Sequence, residues 1–393
     1  MILTEKGAES TPEALQAAQR ELASPVGGEE VLWCGRGATA LYWAYRVVRA
    51  EGDVGDSPEI ILPAIACASP VNTAIMAGLT PRFADIDPAT GMLTLQTVRA
   101  RRTPQTRAVL FIHLFGQTAD LSELRQWCRR HKITLVEDLA QALGARLPCG
   151  DPAGSMGEMS IYSFTGTKIL QCGGGALLVR DGRLTEVLKS LLADYRPPPP
   201  APAERRMQLF DTYRNLHRSL VGLKRLLAVA DISAAFLPLR PAYDCLYILP
   251  LNNADALAEA WRGLPSILQQ RLVKAELYEE LLARKPFWAL LSGWRTSGVC
   301  WRYSLLFGVP DQLVPFSEAV RRDGFHVSNL YWELSSFYRP DDACPEAEKF
   351  SRSIVNLWVD DMVDLETVRR CCESMIRHGA SFYEQASATG PHP

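Results

Sequence analysis

At 393 residues the chain is long enough to bury a large core and to fold as two domains or subdomains. Its composition, 47% hydrophobic and 22% charged with a formal net charge of −2, is that of a soluble globular protein and lacks the basic excess of a general nucleic-acid binder. No run approaches the roughly 18 apolar residues of a spanning helix.

The first thirty residues carry Glu5, Glu9 and Glu13 and no apolar run of the kind a secretory leader has, so a cytoplasmic location is expected. The ten cysteines are scattered, with no matched C-x-x-C spacing. They read as buried reduced thiols, with adjacent Cys371 and Cys372 inside a helix, and no structural zinc site or other metal is expected.

From about Val31 to Val179, short apolar runs alternate with helical patterns. EIILPAIA (Glu59–Ala66), PRFADID (Pro81–Asp87), AVLFIHLFG (Ala108–Gly116) and TLVEDLA (Thr134–Ala140) read as strands buried on both faces of a mainly parallel sheet. DLSELRQWCRRH reads as a helix with Asp120 as N-cap and Glu123 completing a capping box. This alternation predicts an α/β sheet with its sites at the carboxyl ends of the strands.

The tetraproline YRPPPP (Tyr195–Pro200) breaks the pattern and introduces a helical stretch in which basic and apolar residues interleave. That stretch reads as a surface cover or oligomer contact, with a docking face for a lipid surface or a carried substrate as the sharper alternative. Beyond about Leu257 come a long helix through ILQQRLVKAELYEELLARK, a strand at WRYSLLFGV (Trp301–Val309), a helix ending at Gly324 and a terminal helix ending at Gly379. The domain reading is a large domain over 1–246, with a proline-led insertion at 195–246, and a smaller α+β domain over 247–393.

IYSFTGTKILQCGGG (Ile161–Gly175) sets a lone lysine, Lys168, between a strand-like run with Ser163, Thr165 and Thr167 and three glycines. It is either a solvated loop charge or an amine placed for chemistry. A lysine amine serves as a nucleophile when it can form a Schiff base, for which pyridoxal 5'-phosphate is the commonest partner. That partner needs an anion cradle and an acid beside its pyridine nitrogen.

Asp138, at the carboxyl end of TLVEDLA, can be that acid or a helix N-cap. Gln141 follows within a turn, in reach of a ring hydroxyl. Gly37, Ala38 and Thr39, opening the helix in GRGATALYWAYRVV, offer N–H groups and a hydroxyl to a phosphate. The glycine tract does not match G-x-G-x-x-G, so a dinucleotide site is not expected there. His113 reads as a packed histidine, Trp127, Trp261 and Trp358 as packing, and Arg205–Arg206 and Arg369–Arg370 as solvated helix faces.

GATALYWAY, ILPAIACASPVNTAIMAGLTPRFADIDPATG, FIHLFGQTADLSEL, VEDLAQALGA and YSFTGTKILQCGGGALLV together resemble the DegT/DnrJ/EryC1/StrS family of pyridoxal-phosphate-dependent sugar aminotransferases, fold type I. The resemblance implies a large, mainly parallel α/β domain with a smaller C-terminal α+β domain. It implies that Lys168 holds the cofactor as a Schiff base and shuttles protons. By the same resemblance, Asp138 would pair with the pyridinium nitrogen, Gln141 would lie near the ring oxygen, and Ser163 would bind phosphate with Ala38 and Thr39, beside Gly37.

It also implies a homodimer with shared sites, an amino donor such as glutamate or glutamine, and a nucleotide-linked keto sugar as acceptor. A cyclitol, a carrier-bound or a lipid-linked carbonyl is the alternative acceptor, and a weakened family member acting as a partner subunit is the non-enzymatic one.

The chain departs from the family pattern in several places. Gly37-Ala38-Thr39 stands where Gly-Thr-Ser or Gly-Thr-Ala is usual, and Cys67 stands where an aromatic ring commonly stacks on the cofactor. The Asn-Tyr-Arg segment that reaches the neighbouring subunit is marked at best by Tyr247, with Asn252 and Asn253 nearby. A small-domain histidine is replaced around Leu330-Tyr331-Trp332.

Overall fold

The near-continuous apolar runs assemble into one sheet. In the computed structural model, which describes residues 12–28, 30–51, 57–195, 254–329 and 331–388, the strands are β1 (Glu30–Cys34), β2 (Glu59–Pro63), β3 (Thr80–Ala84), β4 (Thr106–Ile112), β5 (Thr134–Asp138), β6 (Met159–Ser163) and β7 (Gly175–Val179). Their order is β1-β7-β6-β5-β4-β2-β3. β7 is antiparallel to both β1 and β6, and all other neighbours are parallel, so β7 alone runs against the rest.

Helices α1 (Pro12–Ala23), α2 (Gly37–Ala50), α3 (Ser69–Ala77), α4 (Leu95–Arg101), α5 (Ser122–Arg130) and α6 (Gly182–Asp194) accompany the sheet. Ile60, Val109, Leu110, Val136 and Leu177 are fully buried. Burial on both faces is why these strands read as apolar runs instead of alternating patterns.

Strands β2 to β5 each stop short of the apolar runs that predicted them. β4 ends at Ile112 because Leu114–Gly116 turns as a short 3-10 element, with Phe115 left-handed at φ 59°. β5 ends on Asp138 and β6 on Ser163.

A second, smaller sheet follows, from β8 (Trp288–Leu291), β9 (Tyr303–Phe307), β10 (Val327–Ser328) and β11 (Ile354–Leu357), in the order β10-β11-β9-β8 and antiparallel throughout. Helix α7 (Ala254–Arg262) packs against α1, with Leu257 in the core of the larger half, whereas α8 (Leu264–Leu282), α9 (Leu313–Arg322) and α10 (Leu365–Ala388) build the smaller half. Tyr278, Tyr303, Phe307, Phe316 and Met375 form the core of the smaller half. The two halves are stitched together: Leu334 N–H donates to Ala64 O at 2.8 Å. Buried Asp342 accepts from Arg82 and from Phe83 N–H.

The structure corrects three sequence expectations. Asp120 does not cap α5: Leu121 takes the N-cap position without a side-chain bond, and Asp120 accepts instead from Ser122 N–H at 2.9 Å. Glu123 therefore completes no capping box. α10 does not end at Gly379 but runs on to Ala388. A Cβ at Gly379 would come within 2.7 Å of the Phe287 ring, so the glycine answers to packing and not to termination.

Nor are all the thiols buried. Cys34, Cys128, Cys300, Cys344, Cys371 and Cys372 are, whereas Cys67 and Cys149 are exposed. The 246/247 boundary, the 195–246 insertion beyond Tyr195, Tyr247, Asn252, Asn253 and Leu330 lie outside the described residues. No helix among the described residues is long and apolar enough to cross a membrane.

Candidate functional site

The carboxyl ends of β1, β2, β5 and β6 converge on a cavity of about 280 Å³. Its walls include Arg36, Gly37, Ala38, Cys67, Asp138, Ser163, Thr165 and Lys168. A larger cavity of about 790 Å³ opens where β4 and β5 begin, lined by basic side chains such as Arg102, Arg107 and Lys132. The carboxylate and the amine singled out by sequence line only the first.

One wall is the start of α2. Its N-cap, Arg36, is extended and supplies no side-chain cap; its carbonyl accepts from Thr39 and Ala40 N–H at 3.1 and 3.3 Å, and Gly37 and Ala38, at the very start of the helix, line the cavity. A helix start of this kind, with its positive dipole end, suits an anion. Glycine is required here by proximity. A Cβ on Gly37 would lie 2.5 Å from Ser163 Cβ, and one on Gly175 would lie 2.4 Å from Gly37 N. The cradle thus exists because two bare backbones meet at the end of β6.

The opposing wall carries the lysine. β6 and β7 form an antiparallel pair, and Lys168 stands in the loop joining them. Phe164 N–H donates to Gly174 O at 3.0 Å and Gly173 N–H to Phe164 O at 2.7 Å, which closes the loop at its base. Gly173 and Gly174 are left-handed at φ 82° and 92°, a conformation that explains the glycine tract. Thr167, just before the lysine, is left-handed as well at φ 102°, a strained state for a β-branched residue. Lys168 is half-buried, and its Nζ lies 5.6 Å from the centroid of the Trp301 ring.

Between these walls stands β5, whose last two residues are both carboxylates. Glu137 is fully buried and Asp138 is 5% exposed. Successive strand side chains point to opposite faces, so the two serve different layers. Glu137 accepts from Gly154 N–H (3.0 Å), Met156 N–H (2.7 Å) and Gly157 N–H (2.6 Å), and its Oε2 lies 2.9 Å from His113 Nε2. Burial alone would push its carboxyl up. The His113 ring and the Gly157 and Gly154 N–H groups outweigh burial and hold it below the usual range.

Asp138 lines the cavity, and its Oδ1 accepts from Ala140 N–H at 2.8 Å. Burial pushes its carboxyl up, with the Ala140 N–H and the Lys168 charge opposing.

Gly37, Ala38, Cys67, Asp138, Ser163 and Lys168 therefore share one cavity, as the sequence led us to expect. Gln141 and Thr39 do not line it. The Gln141 amide is engaged elsewhere, accepting from Phe115 N–H and donating to the Tyr331 hydroxyl, both at 2.7 Å. Thr39 is 1% exposed, and its hydroxyl finds no hydrogen-bond partner among the described residues. With Ala38 on the wall, the first turn offers the cavity no hydroxyl; Ser69, Ser163 and Thr165 supply its hydroxyls, Ser163 and Thr165 hydrogen-bonded at 3.2 Å.

His113 is indeed packed: Nε2 meets Glu137, while Nδ1 has no partner among the described residues. Three residues escaped the sequence reading. Arg36 lines the cavity at the helix start. Tyr45 is buried behind it, its hydroxyl pushed up by burial and by Asp138. Trp301 lies over the lysine. An arginine next to a phosphate-cradle glycine was a signal that could have been read; the other two make contacts far from their own place in the chain.

Comparison with known proteins follows the same lines. The model of the DegT/DnrJ/EryC1/StrS aminotransferase family matches residues 4–195. GDP-perosamine synthase of Caulobacter vibrioides is 33% identical over 174 residues, 44% of this chain and 46% of that protein. L-glutamine:2-deoxy-scyllo-inosose aminotransferase of Streptomyces kanamyceticus is 37% identical over 306 residues, 76% of this chain and 64% of that protein. The chain thus spans less than two thirds of either curated relative. Among solved structures, Helicobacter pylori PseC, an aminotransferase involved in the biosynthesis of pseudoaminic acid, matches with a TM-score of 0.74 at 17% identity, covering 96% of this chain and 94% of that one. That likeness shows the fold.

Proposed function

We propose that this chain, which belongs to the DegT/DnrJ/EryC1/StrS aminotransferase family and has the fold type I architecture, is a pyridoxal-phosphate-dependent aminotransferase that moves an amino group from glutamate or glutamine to a keto sugar. The observation that supports this most is one cavity holding the Lys168 amine, the buried Asp138 carboxylate and the uncapped start of α2. Those groups fit the cofactor. Gly37 lets the start of α2 come close against Ser163, so that the helix N–H groups and the Ser163 hydroxyl line one wall where a phosphate would sit. Asp138 would serve as the acid beside the ring nitrogen, and Arg36 would add a cation at the phosphate end.

When bound, the cofactor supplies an electron sink for the charge left as the donor's α carbon loses its proton. Lys168 Nζ would hold the cofactor covalently and, when free, would take the donor's α proton and return a proton in the transfer of nitrogen, acting in reverse for the acceptor. Asp138 stays ionised and keeps the ring nitrogen protonated, through a charge pair strengthened by its dry surroundings. Ser163 and the α2 start would hold the phosphate and so orient the ring relative to Lys168. The family pattern supports a homodimer in which the second subunit completes the phosphate site.

A second reading of the acceptor rests on the 306-residue match, which is to an enzyme named for an inosose. It makes the acceptor a keto cyclitol without a nucleotide. The test is an assay of the cofactor-loaded protein with L-glutamine or L-glutamate against nucleotide-linked keto sugars and scyllo-inosose. The proposal expects an amine product and a 2-oxo acid in equal amounts from one acceptor class. A protein that binds the cofactor yet deaminates neither donor contradicts it. Light scattering with activity at the same concentration tests the dimer, which a fully active monomer would exclude.

A further inference from the structure

Trp301 is one point at which the smaller half of the molecule reaches the lysine-bearing loop. Its indole Nε1–H donates to Thr167 O at 2.6 Å, and its ring face lies under the Lys168 amine. The residue is 8% exposed, whereas Gly166 and Thr167 are exposed. Thr167 holds the strained φ of 102° that sets the direction in which Lys168 leaves the backbone. Such a state persists only when its surroundings over-determine it. Within the loop, Lys168 N–H donates to Thr165 O at 3.0 Å, while the base is closed at Phe164 and Gly173; the Thr167 carbonyl itself is held by the indole of Trp301.

Trp301 is itself fixed from several sides. Its backbone N–H donates to Phe115 O at 3.2 Å, and its ring stacks on Phe115 at 6.2 Å with a 7° tilt. Its carbonyl accepts from Arg271 at 3.2 Å and from Arg302 at 3.1 Å. Both arginines are buried, and Arg302 pairs with buried Asp360 at 2.9 Å while its guanidinium lies 4.8 Å from the Trp301 ring centroid and 4.5 Å from that of Trp358. Gln141, which does not reach the cavity, holds the Phe115 N–H on which this stack rests.

We propose that Trp301 is a positioning residue for the catalytic lysine: its indole N–H clamps the Thr167 carbonyl, so the small domain sets where the Lys168 amine stands. This rests on the reading of Lys168 as the cofactor's lysine. The chemistry tolerates little error, since a displacement of about 1 Å at a reacting group costs on the order of 100-fold in rate.

W301F keeps an aromatic face under Lys168 and removes the N–H. In W301F, amide hydrogen exchange in the segment 165–170 should rise by roughly 3- to 10-fold, the effect of losing one hydrogen bond, with no change in β6. kcat should fall by about 10- to 100-fold with KM for the amino donor unchanged. Unchanged exchange in 165–170, or a wild-type kcat, overturns the clamp. Should W301F fold poorly, exchange of the Trp301 indole N–H in the wild-type protein decides: protection comparable to β6 amides supports the clamp, and solvent-like exchange refutes it. The exchange arms need no cofactor, so a wild-type protein that never links cofactor to Lys168 defeats the functional reading without touching this test.

Discussion

Glu137 and Asp138 are neighbours on one strand, both buried, and the surroundings treat them in opposite ways. On one face of the sheet, Glu137 receives three backbone N–H groups and a histidine, which together overcome desolvation and hold its carboxyl low. On the other, Asp138 receives a single loop N–H, and desolvation wins. The first arrangement is scaffold: it ties the 154–157 loop and His113 to β5. The second leaves a carboxylate under-satisfied in a cavity beside an amine, a cost to the folded chain that a cationic partner removes. Satisfaction of the polar group, not its identity or its burial, separates structure from chemistry here.

The contrast is sharpest in E137A, which strands three N–H groups and His113 in the interior. Loss of one partner from a buried hydrogen-bonded pair costs about 3–5 kcal/mol, so chemical denaturation at pH 7 should show a loss of that size. The sign with pH follows from the lowered carboxyl value. The folded protein binds the Glu137 proton less tightly than the unfolded chain, so this stabilisation is present above pH 4.5 and is lost as pH falls through the folded value.

D138N should behave in the opposite sense. Turnover falls by about 10²- to 10³-fold, the scale for losing one preorganised electrostatic contact. The cofactor-free variant, however, melts higher than wild type at pH 7. Burial raises the Asp138 carboxyl above 3.8, so its ionised form costs stability at neutral pH. That cost and the difference in melting temperature vanish as the pH falls and Asp138 takes up its proton. A D138N protein less stable than wild type at pH 7 would break the comparison.

G37A has the smallest effect. The added Cβ meets Ser163 Cβ at 2.5 Å, so overpacking should cost about 1–3 kcal/mol. Its signature is that affinity for pyridoxal phosphate falls more than affinity for pyridoxal, read by equilibrium dialysis of both.

The strands were legible because burial on both faces turns them into unbroken apolar runs, and the carboxyl-edge residues Asp138, Ser163 and Lys168 could be placed once the strands were. The failures have local causes. Thr39 lies two residues past Gly37, which carries its side chain around α2 and into the interior. Gln141 was spaced correctly from Asp138, but its amide is claimed by Phe115 and Tyr331, the latter 190 positions away. Asp120 fits a cap motif, yet the helix starts later. Trp301 bonds a carbonyl 134 positions earlier in the chain, a pairing that no spacing rule contains.

The central claim is that the Lys168 amine and the Asp138 carboxylate form one cofactor site, and reductive trapping tests it most directly. The protein is loaded with pyridoxal 5'-phosphate, reduced with borohydride, digested and mapped by mass spectrometry. The account predicts one stoichiometric adduct on the peptide containing Lys168, absent in K168A, whose melting temperature stays near that of the cofactor-free wild type. An adduct on another lysine, or one that survives in K168A, would contradict it.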